Sequence, residues 1–578
     1  MRKILSFFIL LISCNSSTNK KVYNFETHFE KTNGLETGTY QQTIQFYSNL
    51  AEVYPEIHFE AIGETDSEKP LHIVTFNTNK EFDFSEIRKN NKRVLLINNG
   101  IHPGESDGID ATMMLFRDLS QGKIIAPKNT ILVTIPIYNI GGSLNRNSTT
   151  RTNQNGPLEY GFRGNARNYD LNRDFIKCDT KNARTFTEIF HKIKPDVFID
   201  NHVSNGADYQ YTLTHLFTQH NKLGGELGNY LHTTLNSKLE EKLVKKNWDI
   251  TPYVNIFNTV PEKGFSQFMD TPRYSTGYTT LFNCLGMMVE THMLKPYKKR
   301  VKGTYELMKS MIEIIEEDGE QIKNNRKTDL LHLYQSDYYN LNWIIDSSKT
   351  TTLNFKGYNA KKIKSKVTGF ERLKYDNKKP FTKEVAYFNY FKPKLKVKIP
   401  KAYIIPKGWF NVIDLLKLNQ VEIDTLKNDT ILNIESYKIL NYDTKKTAYE
   451  GHYLHNNVKI NTNVKNMPFS KGDYIIFTQQ EAIRYLLETL EPQANDSFFN
   501  WNFFDAILQQ KEGFSPYVWE DKALELLNNN FKLKADFDLR KKEFPEFNSN
   551  WYAQLDWLFK QSEHYENAHL QYPIYRLN

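Results

Sequence analysis

Apolar positions along the first three hundred residues alternate between two periods. Lys92-Arg-Val-Leu-Leu-Ile-Asn98 is a short run of branched side chains that predicts a buried strand. Ser106 or Asp107 follows as a helix N-cap, and the helix it opens passes through Met113, Met114, Leu115 and Leu119. Thr130 to Pro136 predicts a second strand, Thr185 to Ile193 a helix, Pro195 to Asp200 a third strand and Leu285 to Glu290 a fourth. Strands that alternate with helices predict an α/β domain: a mixed, mostly parallel sheet sandwiched by helices. Ligands of such sheets sit beyond the carboxyl ends of the strands. His102, His202 and Glu290 each lie at or just past such an end.

The texture changes after a charged helical stretch from Tyr305 to Lys323, and Asn324-Asn-Arg-Lys-Thr328 predicts a boundary. Residues 329–480 carry short alternating runs, such as Lys394 to Ile399 and Tyr474 to Phe477, which predict a β-rich accessory region. Residues 481–578 read as helical and aromatic-rich, with Trp501, Phe503, Phe504, Trp519, Trp551 and Trp557. Several units are expected, because 578 residues exceed what one hydrophobic core usually serves. The principal domain is then 23–328.

The first residues predict export. Arg2 and Lys3 precede an apolar run from Ile4 to Ile12, too short to span a bilayer core of about 30 Å, in the pattern of a secretory signal over residues 1–13. Leu11-Ile-Ser-Cys14 resembles a bacterial lipobox, in which Cys14 is acylated, and residues 14–22 read as a polar tether. The expectation is a protein anchored by lipid to a bacterial membrane, periplasmic or on the cell surface.

Composition changes this picture little. Hydrophobic residues at 39% and charged residues at 25% are those of an ordinary globular chain. The net charge of +8 is scattered rather than concentrated, and no nucleic-acid motif accompanies it, so no nucleic-acid partner is expected. Cys178 and Cys284 make no disulfide framework. Neither a Gly-x-Ser-x-Gly elbow nor a Gly-x-x-x-x-Gly-Lys loop is present, which leaves serine and phosphoryl chemistry without support.

Metal chemistry has better material. A catalytic zinc commonly takes three protein ligands. His102-Pro-Gly-Glu105 can offer two of them from one turn and His202 a third; of the 15 histidines, only His102 has Glu at that offset. Arg173 has a fixed fork of donors suited to a carboxylate, and Asn172 adds amide donors. Glu290 ends an apolar strand, where a carboxylate is costly unless paired or functional.

The order His102-x-x-Glu105, Asp170-Leu-Asn172-Arg173-Asp-Phe, His202, Glu290 resembles the zinc carboxypeptidases of the carboxypeptidase A type. Ile62-Gly-Glu-Thr-Asp-Ser-Glu-Lys-Pro-Leu-His-Ile-Val looks like that family's opening strand and turn, and the resemblance spans about residues 40 to 300. It implies one zinc per chain on His102, Glu105 and His202, with Asp170 orienting the first histidine. It also implies that Asn172 and Arg173 grip the C-terminal carboxylate of a peptide, while Glu290 is the general base that takes a proton from the attacking water. An arginine should stabilise the oxyanion: Arg151 matches best, with Arg146, Arg163 and Arg167 competing. A mobile tyrosine should cover the site. Tyr278 is preferred over Tyr274 because Gly277 gives the loop freedom. Gly104 departs from the family pattern, in which many members carry arginine before the zinc glutamate. The expected activity is removal of C-terminal residues from peptides with a free C-terminus. Two alternatives compete: an amidase or peptidase acting on cell-wall stem peptides, and a non-catalytic peptide- or glycan-binding lipoprotein.

Overall fold

The computed structural model describes residues 23–578; the expected signal, tether and Cys14 lie outside the described residues. Eight strands form the central sheet: β1 (Ile57–Glu64), β2 (Pro70–Phe76), β3 (Arg93–Asn98), β4 (Thr130–Ile135), β5 (Val197–Ser204), β6 (Leu213–Phe217), β7 (Ile250–Pro252) and β8 (Leu285–His292). Their spatial order is β1-β2-β4-β3-β5-β8-β6-β7. The four inner strands β4, β3, β5 and β8 run parallel, while the β1–β2, β2–β4 and β6–β8 pairs are antiparallel. The mixed, mostly parallel sheet read from the sequence is the observed one.

The apolar runs of the inner strands have a direct cause, because both faces of the sheet are covered. Val94 and Leu96 of β3 and Phe198 of β5 pack on one face with the helix Lys181–Ile193. Leu95, Ile97, Val197 and Ile199 point the other way, against the helices Asp107–Ser120 and Tyr297–Tyr334. Ser106 occupies the N-cap position of Asp107–Ser120, but its hydroxyl makes no cap bond. The Asp107 carboxylate serves tertiary structure instead, pairing with Arg300 Nε at 2.9 Å and accepting from Thr291.

One expected boundary lies inside a continuous helix, and the other divides regions that share one sheet. The helix Tyr297–Tyr334 runs through 324–328 without interruption. No Gly or Pro breaks residues 320–334. Arg326 donates to the Asn283 carbonyl at 2.7 Å and pairs with Asp196, and the Asp329 carboxylate accepts from the N–H groups of Glu226 and Leu227 at 2.8 and 2.9 Å. Residues 329–480 are β-rich, including the paired strands Thr351–Lys364 and Glu371–Phe388 and the pair Thr430–Thr444 and His455–Phe469. The C-terminal stretch is helical, yet its last strand, Tyr575–Leu577, inserts between Ala402–Ile405 and Thr430–Thr444 of the preceding region's six-stranded sheet. Its Arg576 is buried there against Glu435, Tyr437 and Glu491. One hydrophobic cluster runs from Ile73, Leu96 and Phe198 of the central sheet through Tyr278 to Tyr403, Tyr485 and Trp501, so the accessory regions share the principal domain's core. Among the described residues no helix is long and apolar enough to cross a membrane.

Candidate active site

β3 ends at Asn98, and the chain turns through His102 to Glu105 before the next helix; the Glu105 N–H donates to the His102 carbonyl at 2.8 Å and closes the turn. His202 projects from β5, the neighbour of β3 in the sheet. The donor atoms of His102, Glu105 and His202 all lie within 4.8 Å of one another, and all three side chains are buried. Glu105 joins them: its Oε1 is 3.3 Å from His102 Nδ1, and its Oε2 is 3.0 Å from His202 Nδ1.

The far nitrogen of each imidazole is held by a carboxylate. His102 Nε2 meets Asp170 Oδ1 at 2.9 Å, and His202 Nε2 meets Asp200 Oδ2 at 2.9 Å. Such partners fix tautomer and ring orientation and strengthen a ligand. Asp200 was assigned no role from sequence, although it stands two residues before His202 and so on the same strand face. Ser275 Oγ donates to Asp200 Oδ2 at 2.6 Å and orients it in turn.

These residues fit a zinc ion. They offer two imidazole nitrogens and a carboxylate, a common catalytic donor set, and His102 Nδ1 is a buried atom without a hydrogen-bond partner among the described residues. Burial opposes charge on His202, yet Asp200 and Glu105 hold its pKa well above the ordinary imidazole value. Burial likewise opposes charge on Glu105, but Arg151 and His102 keep its carboxyl well below the usual range. The cluster is therefore built around charge.

A cavity of about 280 Å³ opens beside it, lined by Arg163, Asn172, Arg173, Tyr274 and Glu290 on its polar side and by Leu216, Tyr253, Phe257, Phe268 and Met288 on its apolar side. Glu290 lies opposite His202 in the β5–β8 register. Burial and the nearby Glu105 and Asp200 carboxylates raise its pKa to about 7, against the opposing pull of His202.

Asp170 caps the short turn Leu171–Arg173, accepting from the Asn172 N–H at 3.0 Å. Burial works against its charge, but His102, Arg163 and Arg173 hold its pKa far below the carboxylate range. Asn172 Oδ1 accepts from the Ser275 N–H at 3.0 Å. The Arg173 guanidinium lies 4.5 Å from the centroid of the Tyr274 ring, and its Nη1 donates to the Asn172 carbonyl at 2.7 Å.

Two expected positions change. Tyr278 does not reach the cavity. It is fully buried in the core, donates to Asn419 Oδ1 at 2.7 Å and packs against Phe175, Phe190 and Phe282. Gly277 is no hinge: a Cβ there would lie 2.0 Å from the Thr271 carbonyl oxygen, so glycine permits close packing of the helix Ser275–Thr280. Tyr274, one residue before that helix, lines the cavity instead. Arg151 is likewise not a cavity wall; its Nη2 pairs with Glu105 Oε1 at 2.9 Å. Arg163 takes the cavity position, with Nη1 3.7 Å from Glu105 Oε1 and Nη2 2.9 Å from Asp170 Oδ2. Arg146 and Arg167 are spent on other contacts, with Glu159 and with the Asp179 carbonyl. The absence of arginine at 104 also has a structural reason. A Cβ on Gly104 would stand 2.2 Å from Arg151 Nε, so glycine leaves the space that Arg151 fills.

Residues 43–202 match the family model described as zinc carboxypeptidase. The chain is a metallopeptidase, and this segment of it is similar to the zinc carboxypeptidases. The matched segment carries all three members of the buried cluster and the Asp170–Arg173 turn. This metallopeptidase is 21% identical over 421 residues to carboxypeptidase 2 of Trichophyton rubrum, an alignment that covers 69% of this chain and 72% of the relative. Carboxypeptidase 2 of Trichophyton tonsurans is 22% identical over the same shares. Among solved structures, a metallo-carboxypeptidase from Burkholderia cenocepacia aligns at TM-score 0.36 and 14% identity, over 49% of the metallopeptidase and 70% of that chain. Carboxypeptidase A from Helicoverpa armigera aligns at TM-score 0.35 and 12% identity, over 47% and 72%.

Proposed function

We propose that this chain is a metallocarboxypeptidase that removes single apolar residues from the C-termini of peptides. The observation that carries the reading is the shared cavity: the His102–Glu105–His202 cluster, the Glu290 carboxylate and the Asn172–Arg173 pair all face it. A base, a metal-ligand set and a carboxylate clamp are what hydrolysis next to a free C-terminus requires.

His102, Glu105 and His202 would hold the zinc, and the chemistry it would supply there is Lewis acidity toward a carbonyl and a water. The protein's own groups do the rest. Arg173 presents its fork to the terminal carboxylate, with the Tyr274 ring against it and Asn172 beside it. Glu290 takes a proton from the attacking water and delivers it to the leaving amine, a task suited to a carboxyl poised near neutrality. Arg163, at the cavity edge, faces the charge that develops on the carbonyl oxygen. Arg151 balances the Glu105 charge.

The terminal side chain meets Leu216, Tyr253, Phe268 and Met288, which offer no formal charge to pair with an ionic group. Burying an unpaired charge there costs about 3 kcal/mol or more, equivalent to about 10²-fold in rate. The testing experiment is hydrolysis of peptides ending in Phe, Leu, Lys or Asp, as free acids and as amides, followed by mass. Stepwise loss of Phe and Leu from the free acids, abolished by chelator, is the expected result. Cleavage of amides as readily as acids overturns the clamp and with it the reading.

The chain is also proposed to be exported and lipid-anchored through Cys14, on the support of Arg2, Lys3 and the apolar run that ends in Leu11-Ile-Ser-Cys14. Labelling with a radioactive fatty acid, lost in Cys14→Ala, tests this. An unlabelled wild-type chain rules the anchor out.

A further inference from the structure

The strands Thr430–Thr444 and His455–Phe469 are joined by a segment whose tip rests on the active-site wall. At that tip Tyr449 and His452 exchange backbone hydrogen bonds at 2.8 and 3.1 Å, enclosing Glu450 and Gly451. Both enclosed residues have positive φ, 50° and 81°, as a tight type I′ hairpin turn demands. Glycine at 451 also lets the turn approach closely, since a Cβ there would meet Tyr169 Oη at 2.8 Å.

The turn is tied to the Asp170–Arg173 segment at several points. Glu450 Oε2 accepts the Asp170 N–H at 2.9 Å. His452 Nε2 meets Asp179 Oδ2 at 2.8 Å, and Lys177 Nζ reaches the same oxygen at 2.8 Å. The Tyr449 phenol is an electrostatic neighbour of both Arg173 and Arg273. Beside the same turn, buried Asp496 accepts from Arg273 Nε at 2.7 Å and from the Arg273 backbone N–H at 3.0 Å. That grip sets the loop carrying Tyr274, which packs on Arg173, and Ser275, which holds Asn172. Trp501 lies beneath, 5.0 Å from the Arg273 guanidinium.

The groups that hold the clamp from the C-terminal region thus come from residues 449–501. We propose that Tyr449, Glu450 and Asp496 are positioning residues for the Asn172–Arg173 clamp, so that the C-terminal region completes the substrate-carboxylate site. The proposal rests on the metallocarboxypeptidase reading and gives the accessory region a task within it. None of the three is a catalytic residue. They act through the backbone of Asp170 and the loop at Arg273, so their loss should weaken substrate binding more than chemistry.

The test uses the full chain with zinc and a peptide ending in Phe, and compares kcat and KM for wild type, Glu450→Ala, Glu450→Gln, Tyr449→Phe and Asp496→Asn, with thermal melting of each. Glu450→Ala should raise KM about tenfold with kcat within about twofold, the signature of lost binding rather than lost chemistry. Glu450→Gln keeps an acceptor for the Asp170 N–H and should restore most of the loss. Tyr449→Phe and Asp496→Asn should shift KM in the same direction. An active wild type with KM unchanged in all four variants overturns the proposal, and so does an apparent kcat that falls with the melting temperature while KM stays constant, which would mark a purely structural role. A wild type that ignores the free C-terminus fails earlier: it removes the metallocarboxypeptidase reading and the proposal with it. The wild-type measurement tells that failure from the others.

Discussion

Glu290 and His202 stand opposite each other in register on two adjacent parallel strands, β8 and β5. Side chains at paired positions share a sheet face, so the backbone ladder itself sets the spacing between a ligand of the buried cluster and the carboxylate read as the base. Neither depends on a flexible loop.

Replacing Glu290 with Gln keeps the volume and removes the base. Hydrolysis should fall by about 10²- to 10⁴-fold, with zinc content by elemental analysis unchanged. The pH profile follows from the same group. Burial and neighbouring carboxylates raise its pKa to about 7, and a bound dication would pull it lower. Because the ionised form is the active one, kcat/KM should fall on the acid side with a midpoint below 7. A profile flat to pH 4 would contradict the assignment.

Asp170→Asn replaces the carboxylate that holds His102 Nε2 with an amide. Zinc affinity, measured by competition with a chromophoric chelator, should drop by about 10- to 100-fold. Added zinc should raise the melting temperature of the chelated wild type, since a ligand at 100 times its Kd adds about 2.7 kcal/mol. His202→Ala should lose most of that rise.

Tyr278→Phe removes a hydroxyl that donates to Asn419 Oδ1 and meets His191 Nε2 at 3.2 Å. Leaving those buried groups short of a partner costs about 1–3 kcal/mol, read as a lower urea midpoint, while kcat/KM stays unchanged. Tyr274→Ala should do the reverse: KM rises because Arg173 loses the ring against it, with little change in stability.

Gly104→Ala places a methyl where Arg151 Nε and the Gly161 carbonyl oxygen stand 2.2 and 2.9 Å away. Arg151 must swing away from Glu105, and kcat/KM should fall by about 10- to 100-fold. The far-ultraviolet circular dichroism should match wild type. Unchanged kinetics would mean that the Arg151–Glu105 pair is dispensable.

Periodicity and local chemistry determined much of this protein. The runs at 93–98, 130–135, 197–204 and 285–292 are apolar because both sheet faces are covered, and that pattern reads as parallel strands without coordinates. His102, Glu105, His202, the Asp170–Arg173 turn and Glu290 could be picked out because each sits where such a strand ends or in a short polar motif beside it. The tertiary structure decided what local pattern leaves open. Arg151 and Arg163 look alike along the chain, and only the approach of other segments sends one to Glu105 and the other to the cavity. Tyr274 and Tyr278 are four residues apart, and the helix between them turns one to the cavity and the other into the core. The boundary expected at 324–328 dissolved because distant partners, Asp196 and the carbonyls of Phe282 and Asn283, hold Arg326 in a continuing helix. Glu450 meets Asp170 across 280 residues of sequence, a contact that no periodicity encodes because it exists only once two regions have packed on one core.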